Sequence, residues 1–329
     1  MNLLLRRRKF IRRRRKSSSD YFSIEVITDG NFKWYFPSYD RLTIYYRIDD
    51  SDWQSFTYST GGSNQLNIPN LTAGQIVSFK GTNTLYDYHD PDNIGAIRFT
   101  GTFNVKGNIR SLIEGDNFGT TGTIASEAFR SLFANNTGLI NAKDLKICAT
   151  EINTRSCISM FDGCTNLITA PSIPALSVGE RGYEMMFRNC VSLTSTPELP
   201  ALTLGQRAYN AMFKGCSNLV NPAQLPCTNL SSDVYGAMFM NCVNLVTAPV
   251  LPALTLVNGC YNNMFEGCSS LNYIKALFTT AITSSTSYTT DWVKNVASNG
   301  TFVKNSSATW NLTGNNGTPT GWTIETENS

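Results

Sequence analysis

Cysteine is the residue in this sequence whose type and spacing first suggest chemistry. There are nine, and five of them recur every 26 residues: Cys164, Cys190, Cys216, Cys242 and Cys268. A thiol can act as a nucleophile, form a disulfide or bind a metal. Zinc is disfavoured, because ligands repeated at this interval would form a line and not a tetrahedron. The odd count and the lack of a CxxC pair disfavour a disulfide framework, so we expect free thiols at a buried position.

The single histidine does not complete a recognisable catalytic site. His89 lies in the sequence DYHDPDN, where Asp87, Asp90 and Asp92 have a spacing that calcium ligands can have. We favour a solvated acidic loop over a calcium site. The sequence contains no P-loop, GxSxG or HExxH motif. We therefore predict no enzyme, cofactor or metal, and a glycosidase with a carboxylate pair is an alternative that no motif supports.

The elements that position the five cysteines are copies of one phrase. The copies are MFDGCTNL from Met160, MFRNCVSL from Met186, MFKGCSNL from Met212, MFMNCVNL from Met238 and MFEGCSSL from Met264. A fixed period of this length is typical of a solenoid, in which each copy buries its apolar face against the next. A tyrosine, a methionine, a phenylalanine and a cysteine follow at offsets 0, 3, 4 and 7 from Tyr183. This spacing predicts a short helix, and the prolines after it predict an extended segment.

The chain on either side of the repeats has a different character. Residues 20–107 alternate between apolar and polar residues with frequent turn signals. We expect six or seven strands there, in a small immunoglobulin-like β-sandwich. For residues 108–146 the sequence predicts a linker and a degenerate capping repeat, in which Phe133 corresponds to the repeat phenylalanine and Asn136 replaces the cysteine. The solenoid is predicted for residues 147–272 and a C-terminal cap for residues 273–329.

Residues 1–19 form a basic arm in front of these domains. Residues 1–16 hold nine of the 27 lysines and arginines, which leaves 18 against 24 acids, a charge near −6, for the rest. Three interpretations are open: a solvated arm, a nucleic-acid-binding arm, or a peptide that docks on a larger assembly. The leading leucines favour docking. The residues predicted to anchor the chain to a particle are Leu3, Leu4, Leu5, Arg6, Arg7, Arg8, Phe10, Ile11, Arg12 and Arg13.

The sequence has neither a membrane-span pattern nor a secretory-signal pattern. No apolar run reaches the length of a span. A signal has a short basic region followed by about 7 to 15 apolar residues, whereas here three leucines precede the arginines. We therefore expect a protein that is made in a cytoplasm and is not exported by ordinary secretion.

The repeats resemble the BspA-like leucine-rich repeats of gut Bacteroidetes, in the variant MF-x-G-C-x-S-L-T-x-A-P-x-L-P-A-x-T-L. The resemblance covers about residues 125–329. It implies a leucine-rich-repeat-type α/β solenoid with 26-residue repeats behind the β-sandwich. Members of this family include bacterial surface adhesins and proteins of phages and prophages of gut Bacteroidales, among them crAss-like phages. Together with the missing signal, the resemblance implies a phage virion protein: a head or tail fibre or a capsid decoration protein. A bacterial cell-surface adhesin is the alternative.

The variable positions of the repeat are the predicted ligand surface, because the invariant positions belong to the core. The candidates are Arg181, Arg207, Asp233 and Asn258 before the apolar phrase, and Arg188 and Lys214 within it. The expected partners are capsid or tail proteins at the arm and a host surface glycan or protein at the repeats. Nucleic acid is a less favoured partner, and a trimer like that of many fibres stays open. The expected location is the virion, with the bacterial surface as the alternative.

Overall fold

A computed structural model describes residues 20–36, 42–58, 65–84, 86, 96–119, 121–283 and 287–327. The predicted anchoring residues, Leu3 through Arg13, and the acidic loop around His89 lie outside these residues. The strands of the N-terminal part are β1 (Phe22–Val26), β2 (Gly30–Tyr35), β3 (Thr43–Ile48), β4 (Gln54–Thr57), β5 (Gln65–Leu71), β6 (Ile76–Gly81), β7 (Ile97–Phe99) and β8 (Phe103–Asn108). Those that follow are β9 (Thr123–Ile124), β10 (Leu139–Lys146), β11 (Glu151–Ile152), β12 (Ser177–Val178), β13 (Thr203–Leu204), β14 (Tyr273–Ala276), β15 (Thr301–Lys304) and β16 (Thr323–Thr326).

Two sheets share a core in the N-terminal part. The larger has the order β10-β8-β1-β6-β3-β4, and the smaller has the order β5-β2-β7. Because successive side chains of a strand point to opposite faces, each alternating run buries one face. The ring of Phe79 on β6 lies 5.2 Å from those of Phe32 and Trp34 on β2, so the two sheets meet through aromatic side chains.

Strand β10 joins the larger sheet from beyond residue 107. It pairs in parallel with β8, whereas β8 pairs with β1 in the antiparallel sense. Leu139, Ala142 and Leu145 of β10 are buried in a core that continues without a break into the repeats. The predicted domain boundaries stay predictions, but this pairing connects the first sheet directly to the start of the repeats.

The predicted fold class, an immunoglobulin-like β-sandwich followed by a leucine-rich-repeat-type α/β solenoid, is wrong. In the part of the chain that the structure describes, the one α-helix is α1 (Ser111–Glu114), with a 3-10 turn after it at Gly115–Asn117. Every residue from Met160 to Leu271 is described, and none of them is helical. The described residues form strands, turns and irregular segments with almost no helix.

Two alternating sets of backbone hydrogen bonds take the place of the expected helix. Every second amide donates to the next copy, as from Tyr183 to the carbonyl of Ala208 (3.0 Å). The amides between them close turns within their own copy, as from Glu184 to the carbonyl of Arg181 (3.2 Å). A helix would bond each amide inside its own segment. Here half of the amides join neighbouring copies, so successive copies stack in register.

A residue with positive φ recurs at every fourth position of these turns. In one copy Arg181, Met185 and Asn189 have φ values of 56°, 55° and 59°. A right-handed helix excludes such values. Over only eight residues, however, the four-residue period of the turns and the 3.6-residue period of a helix both place apolar side chains on one face. The spacing that predicted a helix therefore did not distinguish it from a run of turns.

The extended segments stack in parallel beside the turns. Strands β9, β11, β12 and β13 form one sheet, and β14, β15 and β16 form another. Partners such as Ser177 and Thr203 lie one repeat apart. Three tryptophans are buried near the C-terminal end, and their Nε1 atoms donate to backbone carbonyls: Trp292 to Gly317, Trp310 to Phe278 and Trp322 to Ala297.

Identical side chains stack in columns through the interior. Successive phenylalanine ring centroids lie between 5.2 and 6.0 Å apart, in the column Phe133, Phe161, Phe187, Phe213, Phe239 and Phe265. A tyrosine column runs beside it with spacings of 6.0 to 6.1 Å: Tyr183, Tyr209, Tyr235 and Tyr261. Both columns end against Trp292. The invariant positions are thus committed to the core.

Candidate ligand-binding surface

The repeat cysteines form a third interior column. The thiol of Cys216 donates to the carbonyl oxygen of Phe187 in the preceding copy at 3.1 Å, and the other four repeat cysteines make the same contact at 3.0 to 3.2 Å. Burial raises the pKa of Cys216 to about 12, so its thiol stays protonated at neutral pH. A nucleophile or a metal ligand must be a thiolate. All nine cysteines lie in the described part and are free, and the repeat cysteines have the buried position expected of them.

The residue before each repeat cysteine is always glycine or asparagine. The series is Gly163, Asn189, Gly215, Asn241 and Gly267, and all have positive φ. Glycine and asparagine are the residues that adopt this conformation at least cost. The turns therefore depend on glycine or asparagine at a position that the pattern of apolar residues does not specify.

A buried carboxylate forms ion pairs with two of the predicted ligand residues. The side chain of Glu184 is 2% exposed. Its Oε2 atom lies 3.2 Å from Nε of Arg181 in the same copy, and its Oε1 atom lies 3.0 Å from a terminal nitrogen of Arg207 in the next. The two arginine side chains remain 30% and 36% exposed, so they connect a buried acid to the surface.

A second buried carboxylate holds Arg188. The guanidinium of Arg188 donates through Nε to Oδ1 of Asp162 at 2.9 Å and through a terminal nitrogen to Oδ2. This hydrogen bonding raises the pKa of Arg188, and the charge of Glu184 acts in the same direction. The two carboxylates therefore belong to one network of charges.

Lys214 occupies the same position of the repeat as Arg188, one copy further on. The amide of Asn189 donates to the carbonyl of Lys214 at 2.8 Å, which places the two positions side by side. We call Arg181, Arg188, Arg207 and Lys214 the basic cluster. Four positive charges stand against the two carboxylates of Asp162 and Glu184, so the cluster and its anchors carry a net charge of +2.

The remaining two predicted ligand residues lie outside the basic cluster. Asp233 occupies the position of Arg207 one copy further on, and its Oδ1 atom lies 1.9 Å from where a Cβ on Gly259 would stand. Asn258 is exposed and bonds to the hydroxyl of Ser287. The amide of Asp233 donates to the carbonyl of Asn258 at 3.0 Å. The six predicted residues thus divide into a group of four and a pair.

No family model, no curated protein and no solved structure matches the chain. The described residues contain no group of three or more His, Cys, Asp or Glu side chains that could hold a metal ion. No helix in the same part of the chain is long and apolar enough to cross a membrane. The choice between functions therefore depends on the geometry of the repeats and on the sequence of the arm.

The sequence-based prediction missed the buried acids Asp162 and Glu184. A signal for Asp162 was present, because an acid in one copy is followed by a base at the same position in the next. Asp162 precedes Arg188 in this way, and Glu266 precedes Lys294, which it contacts at 3.0 Å. Opposite charges that alternate between stacked copies indicate ion pairs. No comparable signal identified Glu184, because its position is occupied by Asn210 and Gly236 in the next two copies.

Proposed function

We propose that this chain is a non-enzymatic structural and binding component of a phage particle. In this proposal, the arginine-rich arm attaches the chain to the capsid or tail. The repeats then bind the surface of the bacterial host. A bacterial cell-surface adhesin is the second candidate, and it uses the repeats in the same way.

The observation that carries the proposal is a uniform scaffold with a variable surface. Backbone bonds such as Tyr183 to Ala208 and Tyr209 to Val234 repeat from copy to copy. The half-exposed side chains do not repeat, since Arg188 is followed by Lys214 and then by Met240. Such a scaffold presents different side chains at fixed spacing without a cost of ordering loops upon binding, which favours a recognition surface.

The first described residues after the arm pack against the first sheet, which is compatible with a role of the arm as an anchor. Tyr21, close to the end of the arm, donates its hydroxyl hydrogen to Asp116 at 2.7 Å. Its ring packs edge-on against Trp53 and Phe118, with centroids at 5.1 and 5.3 Å. Because Tyr21 is packed against the first sheet, docking of the arm would also fix the position of the sheet.

The resemblance to BspA-like proteins of gut Bacteroidales and their phages supports the choice of a particle and of a host. The direct test is to measure binding of the fluorescently labelled full chain to a panel of gut Bacteroidales cells. We expect saturable binding to some strains that unlabelled protein displaces. Absence of binding to every strain would contradict a host-binding role, and detection of the protein on intact phage-free cells would favour the adhesin.

A further inference from the structure

We propose that the basic cluster binds one acidic group, a carboxylate or a sulfate, on an anionic polysaccharide of the host surface. The inference rests on the proposed binding role of the repeats and names the class of ligand for them. It is carried by three features of the cluster: ion-paired guanidinium groups, their spacing and the small excess of charge.

Two of the guanidinium groups share an ion pair with a buried carboxylate before any ligand arrives. Glu184 forms ion pairs with Nε of Arg181 and with a terminal nitrogen of Arg207, although its Oε1 atom makes no hydrogen bond of good geometry. Each guanidinium has five N–H donors, so these contacts use only part of the donor set. An arginine that is already ordered loses less side-chain entropy upon binding, and its planar group matches the two oxygens of a carboxylate or sulfate.

The spacing of the cations fits one acidic group. Arg181 and Arg207 lie one copy apart, as do Arg188 and Lys214. Arg181 and Arg207 also reach the same carboxylate of Glu184, at 3.2 and 3.0 Å, so their guanidinium groups lie a short distance apart. Oxygens of one anion lie within reach of charge-assisted hydrogen bonds from two adjacent copies at this distance.

The small charge excess favours a sparsely charged polysaccharide over nucleic acid. The cluster and its anchors have a net charge of only +2, and the exposed acid Glu180 lies at its edge. Duplex DNA carries about one negative charge per 1.7 Å and would bring further phosphates against these acids. The nearest aromatic residues in the sequence, Tyr183 and Phe187, are buried and cannot stack on bases.

The probes for the full chain are polygalacturonic acid, chondroitin sulfate, neutral dextran and a short DNA duplex. We expect binding to polygalacturonic acid, to chondroitin sulfate or to both, and none to dextran. The first probe carries carboxylates only, and sulfate is added in the second, so the pair distinguishes the two acidic groups. Failure to bind either acidic polysaccharide would overturn the proposal, and so would tighter binding to DNA.

The first variant is Lys214→Gln. Loss of this lysine leaves both buried carboxylates paired with their arginines. We expect the dissociation constant for the acidic polysaccharide to rise about threefold to tenfold. The matched control is Lys294→Gln, which makes the same change at the same position of the repeat, beside Glu266 and Asp291. Equal effects of the two variants would indicate unspecific attraction and contradict a defined site.

Glu184→Gln separates a positioned site from simple charge attraction. This change removes a negative charge, so charge attraction alone would tighten binding. If Glu184 positions Arg181 and Arg207, binding weakens about tenfold, provided that thermal unfolding shows a folded protein. Unchanged or tighter binding by the folded variant would overturn the positioning role, and if this variant does not fold, Lys214→Gln still decides.

The same variants separate this inference from the proposed function. If the chain binds host cells and Lys214→Gln binds them equally well, the cluster is not the site but the repeats still bind the host. If the unmodified chain binds no cells, the proposed function fails whatever the purified polysaccharides show.

Discussion

The Oδ1 atom of Asn189 lies 2.4 Å from the position that a Cβ atom on Gly215 would occupy. The same relationship recurs two copies earlier between Asn135 and Gly163, and two copies later between Asn241 and Gly267. Each asparagine thus covers a glycine in the next copy. At this position the unit of the stack is therefore a pair of copies.

Replacing Gly215 with alanine tests this relationship. Gly215 has a φ of 78°, which an alanine adopts at a cost, and the new Cβ would also meet the side-chain oxygen of Asn189. We expect Gly215→Ala to lower the free energy of unfolding by about 1–3 kcal/mol. Urea denaturation monitored by circular dichroism would measure the change.

Two further variants separate the backbone cost from the steric one. Gly74→Ala is the matched control, since Gly74 has a φ of 92° and a Cβ atom there would meet nothing within 4 Å. It should show only a backbone cost. In an Asn189→Gly background, Gly215→Ala should be less damaging than in the natural chain. An equal cost in both backgrounds would mean that Asn189 does not restrict Gly215.

The thiol column predicts a loss of stability in alkali. The pKa of Cys216 in the folded protein is about 12, above its ordinary value of 9.0, because burial disfavours the thiolate. Above pH 9 the unfolded chain therefore releases a proton that the folded chain retains, and stability falls as the pH rises towards 12. Each such thiol contributes a slope of up to about 1.4 kcal/mol per pH unit.

Cys216→Ala tests this linkage. We expect the free energy of unfolding of the variant to decline less steeply above pH 9 than that of the natural chain, by about one thiol's slope. Below pH 9 the two curves should run parallel, because the thiol is then protonated in both states. Parallel curves up to pH 11 would contradict a buried, protonated Cys216.

The exposure of the cysteines predicts a simple labelling pattern. Cys148 is half-buried, and the other eight are buried. In the native protein we expect a maleimide to modify Cys148 before the other eight, although burial raises the pKa of its thiol and slows the reaction. We expect Cys148→Ser to remove this early modification. All nine should react after denaturation. Rapid modification of a repeat cysteine such as Cys190 in the native state would contradict the closed column.

The ion pair between Asp162 and Arg188 should contribute to stability as well as to the basic cluster. Because the side chain of Asp162 is only 2% exposed, Arg188→Gln deprives a buried carboxylate of its bidentate partner. We expect a loss of about 1–3 kcal/mol in the free energy of unfolding. The double variant Asp162→Asn, Arg188→Gln should recover part of it, and additive losses would argue against coupling between the two residues.

The alternation of apolar residues predicted strands in the N-terminal part, but six or seven were expected where the described residues form eight, and it did not predict how they combine. Phe22 and Phe79 lie in runs with a period of two, and these runs form β1 and β6. The parallel contact of β10 with β8 joins segments more than 30 residues apart, and no local pattern encodes it. Apolar spacing determines which face is buried, whereas sheet order depends on the packing of distant residues.

The wrong helix in the repeats has a local cause that the sequence did contain. Tyr183, Phe187 and Cys190 fit a helical face, but Asn189, immediately before the cysteine, alternates with glycine from copy to copy. Recurring glycine and asparagine indicate positive φ. The site was predictable in part, because positions that vary from copy to copy lie at the surface. Arg181 and Arg207 are at the surface, while Glu184 was missed because an acid is usually exposed.

Attachment to a phage particle through residues 1–19 is the step on which the proposed function depends most. Particles assembled with the full chain and with a chain that lacks residues 1–19 should be purified and compared by quantitative mass spectrometry. If the arm is the anchor, the shortened protein accumulates in soluble, folded form and is missing from the particles. Incorporation of the shortened protein at the level of the full chain would contradict this attachment.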